Sequence, residues 1–145
     1  MRISDVLKDK GGEVVTVPPA MIVQDLLTTL AEHGIGAAVV STGANSVDGI
    51  VSERDIVRAL AARGAGVLTE PVSAIATTRV HTVPPDADIA EVERLMTERR
   101  FRHVPVVLGN RLTGIVSIGD VVKKRITELE VEATALSGYI TGERS

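Results

Sequence analysis

The sequence predicts an α+β fold of two βαββα units packed about a pseudo-twofold axis, and three observations carry that expectation. First, Gly49-Ile50-Val51-Ser52-Glu53-Arg54-Asp55-Ile56-Val57 returns as Gly114-Ile115-Val116-Ser117-Ile118-Gly119-Asp120-Val121-Val122. Second, Val14, Thr16, Val17, Pro18 and Pro19 match Val80, Thr82, Val83, Pro84 and Pro85 at an offset of 66, against 65 for the first pair of blocks. The repeat is therefore about 50 residues long, with one residue deleted from the second copy. Third, at 145 residues neither half alone buries enough apolar surface for comfort, so the two copies are expected to share a core.

The elements follow in order. Val14 to Val17 reads as a short strand that Pro18-Pro19 ends, because proline fixes φ and removes a ladder donor. Val23, Leu26, Leu27 and Leu30 recur at helical spacing, and His33-Gly34 supplies a stop, with His33 placed to interact with the helix dipole. Ala37 to Val40 is a small-residue strand, Ser41 to Ser46 a polar loop and Val47 to Val51 another strand. Ser52 opens a helix carrying Ile56, Val57 and Leu60, closed by Arg63-Gly64-Ala65-Gly66.

The second copy repeats this order. It has a strand over Val80 to Val83, a helix on Ile89, Val92, Leu95 and Met96, strands around His103 to Val107 and Leu112 to Val116, and a helix on Val122, Ile126 and Leu129. Leu108-Gly109-Asn110-Arg111 is a hairpin turn whose Gly and Asn suit positive φ. Ahead of each copy, Ile3-Ser4-Asp5-Val6 and Val72-Ser73-Ala74-Ile75 each suggest one helical turn. The expected divisions are residues 1–66, 67–130 and a helical tail, 131–145, fraying after Gly138.

Composition narrows the function. A net charge of −3 gives no overall attraction to nucleic acid or an acidic membrane. With no cysteine there is no disulfide, thiolate metal site or cysteine nucleophile. No apolar run approaches the roughly 20 residues of a membrane span, and Met1-Arg2-Ile3-Ser4-Asp5 lacks a secretory apolar stretch, so a cytoplasmic protein is expected. The three histidines have no metal-binding spacing, and no nucleophile is paired with a base, so no enzyme, catalytic cofactor or metal is expected. Gly34-x-Gly36 and Gly64-x-Gly66 are too short for a dinucleotide fingerprint. Asp86, Asp88, Glu91, Glu93 and Glu98 read as the start and solvated face of a helix. Arg94, Arg99, Arg100, Arg102 and Lys123-Lys124-Arg125 make the second half locally basic, but without aromatics for base stacking they argue weakly for nucleic acid.

The chemistry concentrates at the two Ser-x-x-Asp junctions. Each is a capping box sufficient to stabilise its helix with no ligand. Each also presents helix N-terminal amides to a phosphate, and an ionised carboxylate that can accept both hydrogens of a ribose cis-diol.

With GIVSERDIV, GIVSIGDVV, the paired Thr-Val-Pro-Pro strand ends and Arg102-His103-Val104-Pro105-Val106-Val107, the chain resembles the tandem CBS-domain pair, or Bateman module, named for cystathionine β-synthase. The resemblance implies a nonenzymatic sensor of energy or redox state that binds an adenosine-containing ligand between the copies. AMP is the first choice, with ADP, ATP, NAD(H) and S-adenosylmethionine as further candidates. It implies Asp120 and Asp55 as ribose ligands, with Ser117 and Ser52 beside the phosphate and Arg102 and His103 meeting it. Ile35, Gly36, Ala37 and the Val15 backbone would hold the adenine of one site, and Phe101, Arg102, Thr77 and the His81 backbone that of the other.

The copies differ where Arg102, His103 and Pro105 stand against Gly36, Ala37 and Val39, and where Arg54 stands against Gly119. That difference favours the Ser117/Asp120 site, leaving any phosphate at the other dependent on Arg54. A stand-alone regulatory module is expected, as a homodimer acting on an unidentified regulated protein. The alternatives are a ligand-free structural or protein-interaction module and, more remotely, a nucleic-acid-binding one.

Overall fold

Aliphatic β-branched runs and helical stripes alternate along the chain, and in the structure, a computed structural model that describes residues 1–11 and 14–140, they become five strands and five α-helices. Helix α1 (Ile3–Lys10) precedes strand β1 (Thr16–Val17), helix α2 (Val23–His33), strands β2 (Ala37–Val40) and β3 (Gly49–Ser52) and helix α3 (Glu53–Arg63). Two short 3-10 helices, Ala65–Thr69 and Val72–Ala74, lead to helix α4 (Ile89–Arg99), strands β4 (His103–Leu108) and β5 (Arg111–Ser117) and helix α5 (Ile118–Ile140).

The first sheet runs β1-β2-β3, with β1 parallel to β2 and β2 antiparallel to β3. Strands β4 and β5 form the second, joined by a turn with Gly109 at φ 56° and Asn110 at φ 64°, the left-handed pair a two-residue hairpin requires. The α+β architecture with its doubled unit is thus as read from sequence.

One strand differs. The expected Val80 to Val83 strand contracts to a single parallel bridge between Val83 and Val106. Upstream, Thr77 is held by Ile50 through two backbone hydrogen bonds of 2.9 Å, so the chain leaves β3 and crosses toward the second unit before Val83 reaches β4. Pro84 stops the pairing on the other side. The segments ahead of the two copies also differ from each other: α1 has two turns, and its counterpart at Val72–Ala74 only one. The tail continues α5 unbroken through Gly138 to Ile140, and 141–145 lie outside the described residues.

The two halves are interlocked by exchange. Ile3 and Ser4 donate from their backbones to the Ala87 and Pro85 carbonyls, as Val72 and Ser73 donate to those of Met21 and Pro19. The bridges Arg2 to Asp88 and Pro71 to Ile22 repeat the relation one residue earlier. Each lead-in therefore packs on the opposite half. Ile3 and Val6 join a core with Ile89, Val92, Met96, Val104 and Val116, while Val72 joins Val17, Leu26, Val40, Val51 and Ile56. These reciprocal contacts are the pseudo-twofold symmetry at the level of atoms.

Candidate functional site

A strand runs straight into a helix at each junction, so its last residue is an N-cap. Ser52 N donates to Asp55 Oδ2 at 2.8 Å, and Asp55 N donates to Ser52 Oγ at 3.3 Å. The Ser52 hydroxyl also donates to Asp55 Oδ2, at 3.1 Å. Ser117 and Asp120 repeat the box at 2.9 and 3.1 Å. Such a box satisfies two helix-end donors, and losing the serine costs about 1 kcal/mol.

The equivalence ends with the carboxylates. Lys10 Nζ, from the end of α1, lies 2.7 Å from Asp120 Oδ2 and donates also to the Ile115 carbonyl at 3.0 Å. Burial alone would raise the Asp120 carboxyl, but the Lys10 ammonium and the Ser117 donors outweigh it and hold the group below its ordinary value. Asp55 has no ion pair among the described residues, and its Oδ1 accepts no hydrogen bond among them.

The open space follows the same division. A cleft of about 690 Å³ lies over the first junction, within the size range of small-molecule sites. Ser52, Arg54 and Asp55 line it from β3 and α3, and Gly36 from the entry to β2. Thr77, His81, Phe101, Arg102 and His103 line it from the segments leading into and along the second unit. The His81 and Phe101 rings, 5.7 Å apart, give it an apolar wall. At the second junction a cavity of about 230 Å³ lies on the α1–α5 side, lined by Val6, Asp9, Lys10, Asp120, Lys123, Lys124 and Thr127.

The sequence-derived set therefore divides. Nine residues share the first cleft: Gly36, Ser52, Arg54, Asp55, Thr77, His81, Phe101, Arg102 and His103. Val15 and Ile35 pack beside the first core, Ala37 is buried in β2 opposite Ser52, and Pro105 is buried in β4 with its carbonyl accepting from Val83 N. Ser117, Gly119 and Asp120 stay at the second junction, outside the larger cleft. His103, opposite Ser117 in the β4–β5 register, stands between the two regions. Burial and the nearby Lys10 charge lower its pKa against the opposing pull of Glu53 and Asp120, which favours the neutral imidazole.

Sequence reasoning missed Arg58, Arg79 and Lys10 as neighbours of the junctions, and it read Arg99 and Arg100 only as part of a basic run. Arg58 could have been found from its position one turn after Arg54 on the same helix. Lys10 carried no local signal, since 110 residues separate it from Asp120.

Two interlocked βαββα-type units with an inter-unit cleft over a helix N-terminus define a tandem-repeat module. The CBS domain family model matches residues 3–62 and 72–126, one match for each half, and the chain belongs to that family. It is 34% identical over 148 residues to a mitochondrial CBS domain-containing protein of Arabidopsis thaliana, covering 97% of this chain and 72% of that one. Among solved structures, a CBS-domain containing protein from Agrobacterium tumefaciens is 43% identical with a TM-score of 0.83, covering 86% of this chain and 99% of that one. A CBS domain protein from Pyrobaculum aerophilum, solved in complex with AMP, is 30% identical with a TM-score of 0.77, covering 92% and 99%. No helix among the described residues is long and apolar enough to cross a membrane.

Proposed function

We propose that this chain is a regulatory module that binds an adenosine nucleotide in the cleft over Ser52 and Asp55 and reports its occupancy, as a measure of energy or redox state, to a partner protein. The observation that carries the reading is the unpaired Asp55 carboxylate at the mouth of α3, in a cleft whose other walls supply guanidinium groups and an aromatic pair. A carboxylate suits a ribose diol, guanidinium groups suit phosphate, and the His81/Phe101 wall suits a base. The AMP held by the Pyrobaculum relative supports the same ligand class. The role is binding rather than catalysis. Sequence comparison of the copies favours Asp120, but with Lys10 already on that carboxylate we assign the Asp55 cleft as the primary site.

Reporting to a partner requires two arrangements of the module with different ligand affinity. We assign the assembly as a homodimer through α5. Val122, Ile126, Leu129, Ala133 and Leu136 recur at alternating four- and three-residue spacing, and the four large ones are 40–60% exposed.

A thermal-shift series with AMP, ADP, ATP, NAD and S-adenosylmethionine on ligand-stripped protein tests the nucleotide reading. Ligand at about 100 times its Kd stabilises the fold by roughly 2.7 kcal/mol. A folded sample that no nucleotide shifts would instead be a ligand-free interaction module.

A further inference from the structure

Six guanidinium groups, of Arg54, Arg58, Arg79, Arg99, Arg100 and Arg102, line the first cleft against two carboxylates, Glu53 and Asp55. With neutral histidines that leaves four net positive charges around one cavity, in a chain whose net charge is −3. None of the six makes an ion pair or side-chain hydrogen bond among the described residues, although Arg63 and Arg125 elsewhere are paired. The six line one cavity together, and mutual repulsion in a shared cavity is relieved by a polyanion.

A second observation comes from the backbone. Arg100 ends α4 in the left-handed conformation, at φ 58° and ψ 36°. Its counterpart in the first unit is Gly34, at φ 61° and ψ 37°, the residue type that adopts this geometry without strain. The second unit therefore keeps the same helix stop while carrying a strained arginine, and the side chain so held lines the cleft. Backbone strain retained at a cavity wall points to a use for the side chain.

Resting on the nucleotide reading above, we propose that the Asp55 cleft selects by phosphate count and is built for a nucleoside triphosphate rather than a monophosphate, with Arg99 and Arg100 meeting the outer phosphates. AMP, with about two negative charges, leaves half of the excess uncompensated; a fully ionised triphosphate, with about four, matches it, and the cationic S-adenosylmethionine is repelled.

The test is calorimetric titration of the full chain with AMP, ADP, ATP and inorganic tripolyphosphate in the absence of divalent ions, on the wild type and on Arg100→Gly. Glycine suits the backbone at that position, so the variant remains folded with a melting temperature at or above that of the wild type. Affinity is expected to rise from AMP to ADP to ATP. Arg100→Gly is expected to weaken ATP by about fivefold or more while AMP stays within about twofold, the scale of one partly exposed charge contact. Equal binding of AMP and ATP, or tighter binding of AMP, overturns the phosphate-count proposal and leaves the nucleotide reading standing. Absence of binding by every nucleotide overturns both. Tripolyphosphate binding as tightly as ATP, with no gain from the nucleoside, overturns the nucleotide reading and with it this proposal. A single-stranded RNA 20-mer that binds more tightly than ATP, and is weakened by Arg100→Gly, replaces the triphosphate as occupant and overturns the proposal as well.

Discussion

Lys10 Nζ sits 2.7 Å from Asp120 Oδ2, joining the end of the first helix to the start of the last across 110 residues of sequence. Because each lead-in packs on the opposite half, this contact is where the exchange of lead-ins meets the chemistry of the junction. The equivalent lead-in before the second copy ends in Ile75 and Ala76 and brings no cation to Asp55. One chain thus holds one junction carboxylate in an ion pair and one without.

Removing that ammonium should open the second junction. By calorimetry we expect one nucleotide per chain in the wild type and more than one in Lys10→Ala. The pair is part-exposed, at 34% and 28%, so the variant loses no more than about 1 kcal/mol of stability in chemical denaturation. Stoichiometry unchanged at one per chain would show that Lys10 does not gate the second site.

Acid should unfold the protein in part through the same carboxylate. A carboxyl whose folded pKa is lowered contributes stability that is present above its unfolded value, about 3.9, and lost as pH falls through the folded value. Denaturation at pH 5 and pH 3 should therefore show a smaller acid-induced loss in Lys10→Ala than in the wild type. An identical loss in both proteins would remove Lys10 as the main cause of the shift.

His103 sets a second pH window. Its folded pKa is lowered, so the neutral ring's contribution is complete above the ordinary value of about 6.5 and fades as pH falls through the folded value. His103→Gln should flatten the stability change between pH 7.5 and 5.5 measured by thermal melting. A slope equal to that of the wild type would place the acid sensitivity elsewhere.

Much of this was legible in the sequence, and the reasons differ by feature. The doubled blocks carried the unit order, both capping boxes and the Gly109-Asn110 turn, because each depends on residues within a few positions of one another. The Val80 to Val83 strand was over-read, since its β-branched pattern is real but Thr77 and Pro84 leave room for only one bridge. Nine of the candidate residues meet in one cleft, yet the comparison of copies pointed to the other junction. It rested on Arg102 and His103, which line the Asp55 cleft, Arg102 just ahead of β4 and His103 at its first position opposite Ser117. Only tertiary packing brings Lys10 to Asp120, and nothing local in a lysine at the end of a helix announces that.

The seam on α5 should govern assembly. Leu129→Glu places a charge in the middle of the exposed stripe without touching either core, so sedimentation should give a dimer for the wild type and a folded monomer for the variant. A dimer that survives the substitution would move the interface off α5.

The most direct test of the central claim is ATP titration by calorimetry of two variants, Asp55→Ala and Asp120→Ala, each checked for an intact fold by its melting curve. Loss of the ribose contact should weaken binding by about 1.5 to 3 kcal/mol, roughly 10- to 150-fold, in Asp55→Ala. Asp120→Ala should stay within about twofold of the wild type, since its carboxylate is already engaged by Lys10. The reverse order, with Asp120→Ala losing affinity and Asp55→Ala keeping it, would contradict the assignment of the ligand to the Ser52/Asp55 cleft.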